Sequence, residues 1–326
     1  MPFLTLTLSL IVVTLGAAGL VRGASTVALR AGFSPLFVGL TIVAFGTSAP
    51  EMGASLVATV RGVTDISVGN VVGSNIFNIA AIVGLTALIR PIRVRFAPIR
   101  RNLWVAIAAA AVPWSSAALD GVIPRWLGVL LVAVLVVYIA GSYRSDRRTW
   151  DGTQDSDKSG NQSILTGVTE GRRPLDRPWA AVLMVAGGIG LLTIGSRLFV
   201  GSAIDIAHAL GVTELVIGLT VVSMGTSLPE LVTSLVAAAR RDVDIAVGNI
   251  IGSNIFNAFG ILGTCAVVKP QGVNRQVLLV DAPVLLIATL ALLPIVKSGG
   301  RISRLEGGAL ILGYLLYLGL MIIRGK

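Results

Sequence analysis

The sequence predicts an all-α polytopic membrane protein, with ten transmembrane helices arranged as two inverted-topology five-helix repeats. Three observations predict it. First, 54% of the 326 residues are hydrophobic and only 13% are charged, with several apolar runs near or beyond 18 residues. That is more apolar surface than a water-soluble domain hides, and each run is long enough to cross a ~30 Å hydrocarbon core as a helix that satisfies its own backbone. Second, the stretch from Gly39 to Pro91 aligns without a gap to Gly218 to Pro270, with 29 identities in 53 positions. Third, Lys and Arg alternate in density from one connection to the next, as orientation in a membrane requires.

Ten spans follow from the apolar runs: 3–29, 34–60, 66–89, 101–119, 123–143, 178–209, 213–239, 245–268, 276–296 and 304–323. Phe3 has no basic residue before it and its run exceeds signal-peptide length, so the first span is expected to be retained. Alternate connections carry 18 Lys and Arg against 6 on the opposite side. The denser side is cytoplasmic by the positive-inside rule, which puts both termini outside. The net charge of +10 therefore serves orientation rather than nucleic acid. Residues 144–177, polar and rich in Gly, Ser and Asp, read as a flexible cytoplasmic linker between a first repeat (1–143) and a second (178–326). Five spans per half is an odd number, so the second half enters from the opposite side. Transporters of that architecture hold substrate near the midplane, where the halves meet.

The identities between the halves cluster on polar residues. Gly46-Thr-Ser-Ala-Pro-Glu51 in span two returns as Gly225-Thr-Ser-Leu-Pro-Glu230 in span seven. A carboxylate in a membrane segment costs roughly 2.5–3.5 kcal/mol on insertion scales and is seldom kept without a partner or a cavity. Ala44, Thr47, Ser48 and Glu51 fall at helical spacing on one face, as do Ser223, Thr226, Ser227 and Glu230. Pro50 and Pro229 have no N–H, so the carbonyls of Gly46 and Gly225 lose their helical partners and a kink is expected. Carboxylate, hydroxyl and carbonyl oxygens suit hard cations such as Ca²⁺ and Na⁺. The lone Cys265 and lone His208 make a soft-metal site untenable, and they read as a small core residue and an interfacial polar residue.

The companion blocks are Gly69-Asn-Val-Val-Gly-Ser-Asn-Ile-Phe-Asn78 and Gly248-Asn-Ile-Ile-Gly-Ser-Asn-Ile-Phe-Asn257. Ser74 and Asn78, like Ser253 and Asn257, lie one helical turn apart and can add neutral oxygens to the same cavity. Asn75 and Asn254 point elsewhere, toward interhelical hydrogen bonds. Gly69, Gly73, Gly248 and Gly252 suit close helix approach. Asp65 and Asp244 sit where spans three and eight begin and are expected to cap them. Arg22 and Arg197, within spans, are expected to snorkel.

These four blocks, in this order and spacing, closely resemble the α-repeats of prokaryotic-type sodium/calcium exchangers in the calcium/cation antiporter superfamily. The resemblance covers both repeats and the ten-span plan and is weak in the linker and the last two spans. It implies a core of spans two, three, seven and eight, a sliding gate of spans one and six, and exchange of Na⁺ for Ca²⁺ by alternating access. On the matching positions it implies that Glu51 and Glu230 share the calcium ion, helped by Thr47 and Thr226. Ser48, Ser227, Ser74, Ser253, Asn78 and Asn257, with the carbonyls of Ala44 and Ser223, would complete the sodium sites. The potassium-dependent branch carries Asp where this chain has Asn257, so potassium-independent exchange is expected.

The ions are then substrates rather than cofactors, and the internal repeat supplies a two-state site within one chain, consistent with a functional monomer. A proton/calcium antiporter is the nearest rival, although the Gly-Asn-Ala-x-Glu motif of that type is absent. A channel would tend to be a symmetric oligomer, and an enzyme would need a nucleophile–base set that is not conspicuous here.

Overall fold

The computed structural model describes residues 2–94, 96–157, 178–210 and 223–324. It is helical almost throughout. In chain order the helices are α1 (Pro2–Ala31), α2 (Pro35–Thr47), α3 (Ala49–Val60), α4 (Thr64–Ile89), α5 (Phe96–Ala110), α6 (Arg125–Asp157), α7 (Pro178–Ala209), α8 (Ser223–Thr226), α9 (Leu228–Ala239), α10 (Val243–Val268), α11 (Val277–Lys297) and α12 (Arg304–Arg324). Among the described residues, seven are long and apolar enough to cross a membrane, or eight if the bent α2–α3 pair is one span. Span four is shorter than expected, because α5 stops at Ala110 and the chain tightens into a 3₁₀ turn at Val112–Ala118. Residues 213–222 of span seven lie outside the described residues. The expected linker is helical at its start, since α6 continues to Asp157, and 158–177 lie outside the described residues.

Burial sorts the helices into a centre and a periphery. In α4 and α10, 78% and 83% of the apolar window is buried, against 17% in α12 and 28% in α6 and α7. The exposed apolar faces of the outer helices suit lipid. The two central helices are also the ones that carry the Gly-Asn-x-x-Gly-Ser-Asn-x-x-Asn blocks, so polar side chains occupy the most enclosed part of the bundle. Short antiparallel strand pairs tie distant connections together: β1 (Ile92–Arg93) with β4 (Arg301–Ile302), and β2 (Val122–Ile123) with β3 (Gln271–Gly272).

Glycine sets how closely helices approach. A Cβ on Gly252 would lie 2.5 Å from the Leu40 carbonyl oxygen, and one on Gly248 would lie 2.7 Å from that of Leu36, so α2 and α10 meet backbone to backbone. Gly69 has nothing within 4 Å among the described residues, so the expected close approach is seen at Gly248 and Gly252 and not at Gly69. Between α1 and α7, Gly16, Gly23, Gly188 and Gly195 make a similar seam; a Cβ on Gly188 would come within 2.7 Å of the Leu20 nitrogen. The turn entering α2 is tied to the C-terminal half of α6, where Asp146 accepts from the Ser34 N–H at 2.8 Å and from the Ser34 hydroxyl.

Asp65 and Asp244 do not cap their helices. Val63 and Asp242 occupy the capping positions, without a side-chain cap bond, and the two aspartates lie in the first turn instead. There a negative charge still favours the positive end of the helix dipole. Cys265 is buried and free, whereas His208, Arg22 and Arg197 are exposed at the bundle surface.

Candidate cation site

Each carboxylate-bearing helix is broken one turn from its glutamate. The α2 helix ends at Thr47, Ser48 has a ψ of 5° rather than a helical value, and α3 starts at Ala49 with Pro50 in its first turn, giving a bend of 46°. In the second half Ser227, with a ψ of 9°, breaks the chain between α8 and α9, and Pro229 follows. The cause is local: proline cannot donate to the turn before it, and its ring crowds the carbonyl there. The central helices answer with single π-type turns at Phe77–Ile82 in α4 and Phe256–Ile261 in α10, which contain Asn78 and Asn257. Such widenings are frequent at functional sites and carry no sequence signature as plain as a proline.

These deviations bring the predicted residues together. Glu51, Glu230, Thr47, Ser48, Ser227, Ser74, Ser253, Asn78 and Asn257 are all fully buried, and Ala44 nearly so. Thr226 is half-buried, and the side chain of Ser223 lies outside the described residues. The two carboxylates are close enough to repel. Ser48 Oγ donates to Glu230 Oε1 at 2.9 Å. Both oxygens of Glu51, Glu230 Oε2, Asn78 Oδ1, Asn257 Oδ1, Ser74 Oγ and Ser227 Oγ are buried without a hydrogen-bond partner among the described residues. The Ala44 carbonyl differs, since it accepts from Ser48 N at 3.0 Å and Thr47 Oγ1 at 3.3 Å.

Two asparagines that the sequence reading left unassigned organise the edges of this cluster. Asn70 Nδ2 donates to Ser55 Oγ at 3.0 Å and to the Glu51 carbonyl at 3.4 Å, and its Oδ1 accepts from Thr226 Oγ1 at 3.3 Å. Asn249 does the same with Ser234 Oγ at 3.0 Å, the Glu230 carbonyl at 3.3 Å and Thr47 Oγ1 at 3.0 Å. Each asparagine therefore holds the backbone of the glutamate in its own half and the threonine of the other half. The signal was available: Asn70, Ser74 and Asn78 recur every four residues on one helix face, and Asn70 and Ser55 are identical in both repeats. Asn75 and Asn254 make interhelical bonds, as their spacing suggested, and they do so reciprocally.

Chemically, the cluster is a buried set of oxygen atoms that includes two carboxylates. Among the described residues no group of three or more His, Cys, Asp or Glu converges. Buried acceptors with no donor cost free energy until an electropositive guest satisfies them, and a hard cation is the guest that oxygens of this kind suit.

Comparison with known proteins agrees with that chemistry. Residues 1–144 and 180–323 match the family model described as sodium/calcium exchanger protein. The putative antiporter CaxA of Alkalimonas amylolytica is 35% identical over 300 residues, covering 91% of each chain. The sodium/calcium exchanger MaX1 of Methanosarcina acetivorans is 32% identical over 341 residues, covering 97% of each. The solved structure of the sodium-calcium exchanger NCX_Mj soaked with zero Na⁺ and Ca²⁺ superposes with a TM-score of 0.80 at 27% identity, covering 98% of both chains. A multi-pass membrane antiporter whose repeated glutamate blocks meet in one buried oxygen cluster, this chain belongs to the sodium/calcium exchanger family.

Proposed function

We propose that the protein exchanges Na⁺ for Ca²⁺ across the plasma membrane by alternating access, independently of K⁺ and as a monomer. One observation carries this reading: two fully buried carboxylates among neutral oxygens, four of which, at Ser74, Ser227, Asn78 and Asn257, have no hydrogen-bond partner among the described residues. Removing a carboxylate from water costs several kcal/mol even after relaxation, so the pair favours whatever cation neutralises it. Glu51 and Glu230 share Ca²⁺ with Thr47 and Thr226. Ser48, Ser227, Ser74, Ser253, Asn78 and Asn257 supply the Na⁺ ligands, and the carbonyls of Ala44 and Ser223 add to them. With Asn rather than Asp at both 78 and 257, the site has a formal charge of −2, which one Ca²⁺ or two Na⁺ would neutralise. Moving more than two Na⁺ per Ca²⁺ makes exchange electrogenic.

In this reading residues 1–143 and 178–326 are inverted five-helix repeats, ten transmembrane helices in all. Both termini are outside and 144–177 cytoplasmic. Helices α1 and α7, packed along a glycine seam with few side chains between their backbones, slide against the core. Cations drive the switch through differential affinity for its two states, since a ligand that binds both equally shifts nothing. The bare −2 site resists dehydration, which prevents switching without cargo.

The test is ⁴⁵Ca²⁺ uptake into proteoliposomes under an outward Na⁺ gradient, compared with a pH gradient alone, with and without K⁺. Uptake driven by Na⁺ and indifferent to K⁺ is expected. Uptake driven by the pH gradient alone would establish proton/calcium exchange in its place, and abolition on K⁺ removal would overturn the potassium reading.

A further inference from the structure

Asn78 and Asn257 spend their amide nitrogens, not their oxygens, on bonds across the two halves, and a chain of hydrogen bonds dictates that choice. Asn254 Nδ2 donates to the backbone carbonyl of Asn75 at 3.2 Å, and Asn75 Nδ2 donates to the backbone carbonyl of Asn254 at 3.2 Å. A carbonyl oxygen only accepts, so each of these amides must turn its nitrogen toward it. That leaves Asn254 Oδ1 to accept from Asn78 Nδ2 at 3.0 Å and Asn75 Oδ1 to accept from Asn257 Nδ2 at 3.1 Å. With its nitrogen held this way, each planar amide at 78 and 257 directs its oxygen elsewhere. Those two oxygens are buried and have no hydrogen-bond partner among the described residues. Flipping either amide would set oxygen against oxygen at Asn254 or Asn75.

We propose that Asn75 and Asn254 are positioning residues that hold Asn257 and Asn78 oxygen-inward, and that this crossed lock determines how well the site competes for Na⁺. Without it, the amides of Asn78 and Asn257 are free to flip, and the site loses two oxygen ligands for Na⁺. The lock joins α4 to α10, the two most buried helices, so it stays in register while outer helices move. This inference rests on the proposed assignment of Asn78 and Asn257 as Na⁺ ligands.

The experiment is equilibrium ⁴⁵Ca²⁺ binding to the purified full-length protein in detergent, with Na⁺ as competitor, for wild type, Asn75→Leu, Asn254→Leu and Glu51→Gln. Leu keeps the branched shape of Asn and removes both bonds; Asn75→Ser, which is smaller and too short to reach, replaces it if the Leu variants do not purify as monodisperse protein. Residues that orient a ligand typically change metal affinity tenfold or more when replaced. The Na⁺ concentration that displaces half the Ca²⁺ is therefore expected to rise about tenfold in the Asn75 and Asn254 variants, while Ca²⁺ affinity without Na⁺ changes far less. A merely structural role would lower the unfolding temperature and the number of binding sites without moving that ratio. Wild-type Na⁺ competition in the Asn75 and Asn254 variants, alongside loss of Ca²⁺ binding in Glu51→Gln, overturns the lock alone. Normal Ca²⁺ binding by Glu51→Gln overturns the site and the lock together.

Discussion

Glu51 and Glu230 stand in nearly identical blocks, Gly-Thr-Ser-x-Pro-Glu, yet their surroundings differ. Glu230 Oε1 accepts from Ser48 at 2.9 Å, while Ser227, the counterpart of Ser48, stands beside Glu51 without reaching hydrogen-bond geometry, and neither oxygen of Glu51 has such a bond among the described residues. The asparagine network, by contrast, matches across the halves to within about 0.3 Å in its key bonds. The difference separates two jobs. Neutral ligands are aimed by a symmetric frame, whereas the carboxylates are held unequally, so Glu51 is the group with most to gain when a cation arrives.

The largest test of that comparison neutralises each glutamate in turn. Glu51→Gln and Glu230→Gln are both expected to abolish Ca²⁺ exchange in ⁴⁵Ca²⁺ flux assays, because either leaves one carboxylate for a divalent ion. They should part in stability. Without Na⁺ or Ca²⁺, Glu51→Gln removes an unpartnered buried carboxylate and should stabilise the protein in detergent by on the order of 1–3 kcal/mol. Glu230→Gln keeps an acceptor for Ser48 and should stabilise less; equal shifts in thermal unfolding would erase the asymmetry.

Next in size is packing. Gly252→Ala drives a methyl group into the α2 backbone, and overpacking of this kind costs typically 1–3 kcal/mol. The same substitution at Gly69, which has open space among the described residues, should leave the stability within about 0.5 kcal/mol of wild type. A smaller contrast lies in the serines. Ser48→Ala strips Glu230 of its donor and should destabilise by about 1 kcal/mol, whereas Ser227→Ala removes a hydroxyl outside hydrogen-bond geometry among the described residues and should cost less stability while weakening Na⁺ competition. Scanning calorimetry and Na⁺-competed ⁴⁵Ca²⁺ binding separate the two.

The smallest effect compares one turn in both halves. After α3 the left-handed position is taken by Gly62, with a φ of +85°, and after α9 by Arg241, with a φ of +67°. Glycine adopts that conformation without the Cβ clash that costs other residues about 1 kcal/mol or more. Arg241→Gly is thus expected to raise the unfolding temperature slightly, and a drop would assign Arg241 a favourable contact that outweighs its backbone strain.

Much of this was legible beforehand. Apolar runs located most of the spans within a few residues, since the hydrophobic length of a helix is a property of the chain alone. Pro50 and Pro229 announced the breaks at Ser48 and Ser227, and repeat identity picked out nine of the ligand candidates that prove fully buried. Less legible was anything that depends on a neighbour. Asp65 and Asp244 looked like caps, but where a helix starts is set by the turn before it. Asn70 and Asn249 carried the right spacing and identity, yet their work is to bridge helices that are remote in sequence.

What the sequence by itself determined is the chemistry on offer: membrane-length helices, two carboxylates beside helix-breaking prolines, and oxygen donors in two copies. Local covalent and solvation preferences suffice for that. Only the tertiary structure decided which atoms face which. The orientation of an amide, the partner of a serine and the inequality of two identical glutamates depend on donors supplied by the other half, about 180 residues away in the chain. Hydrogen bonds act over a few ångströms of space and are indifferent to separation in sequence.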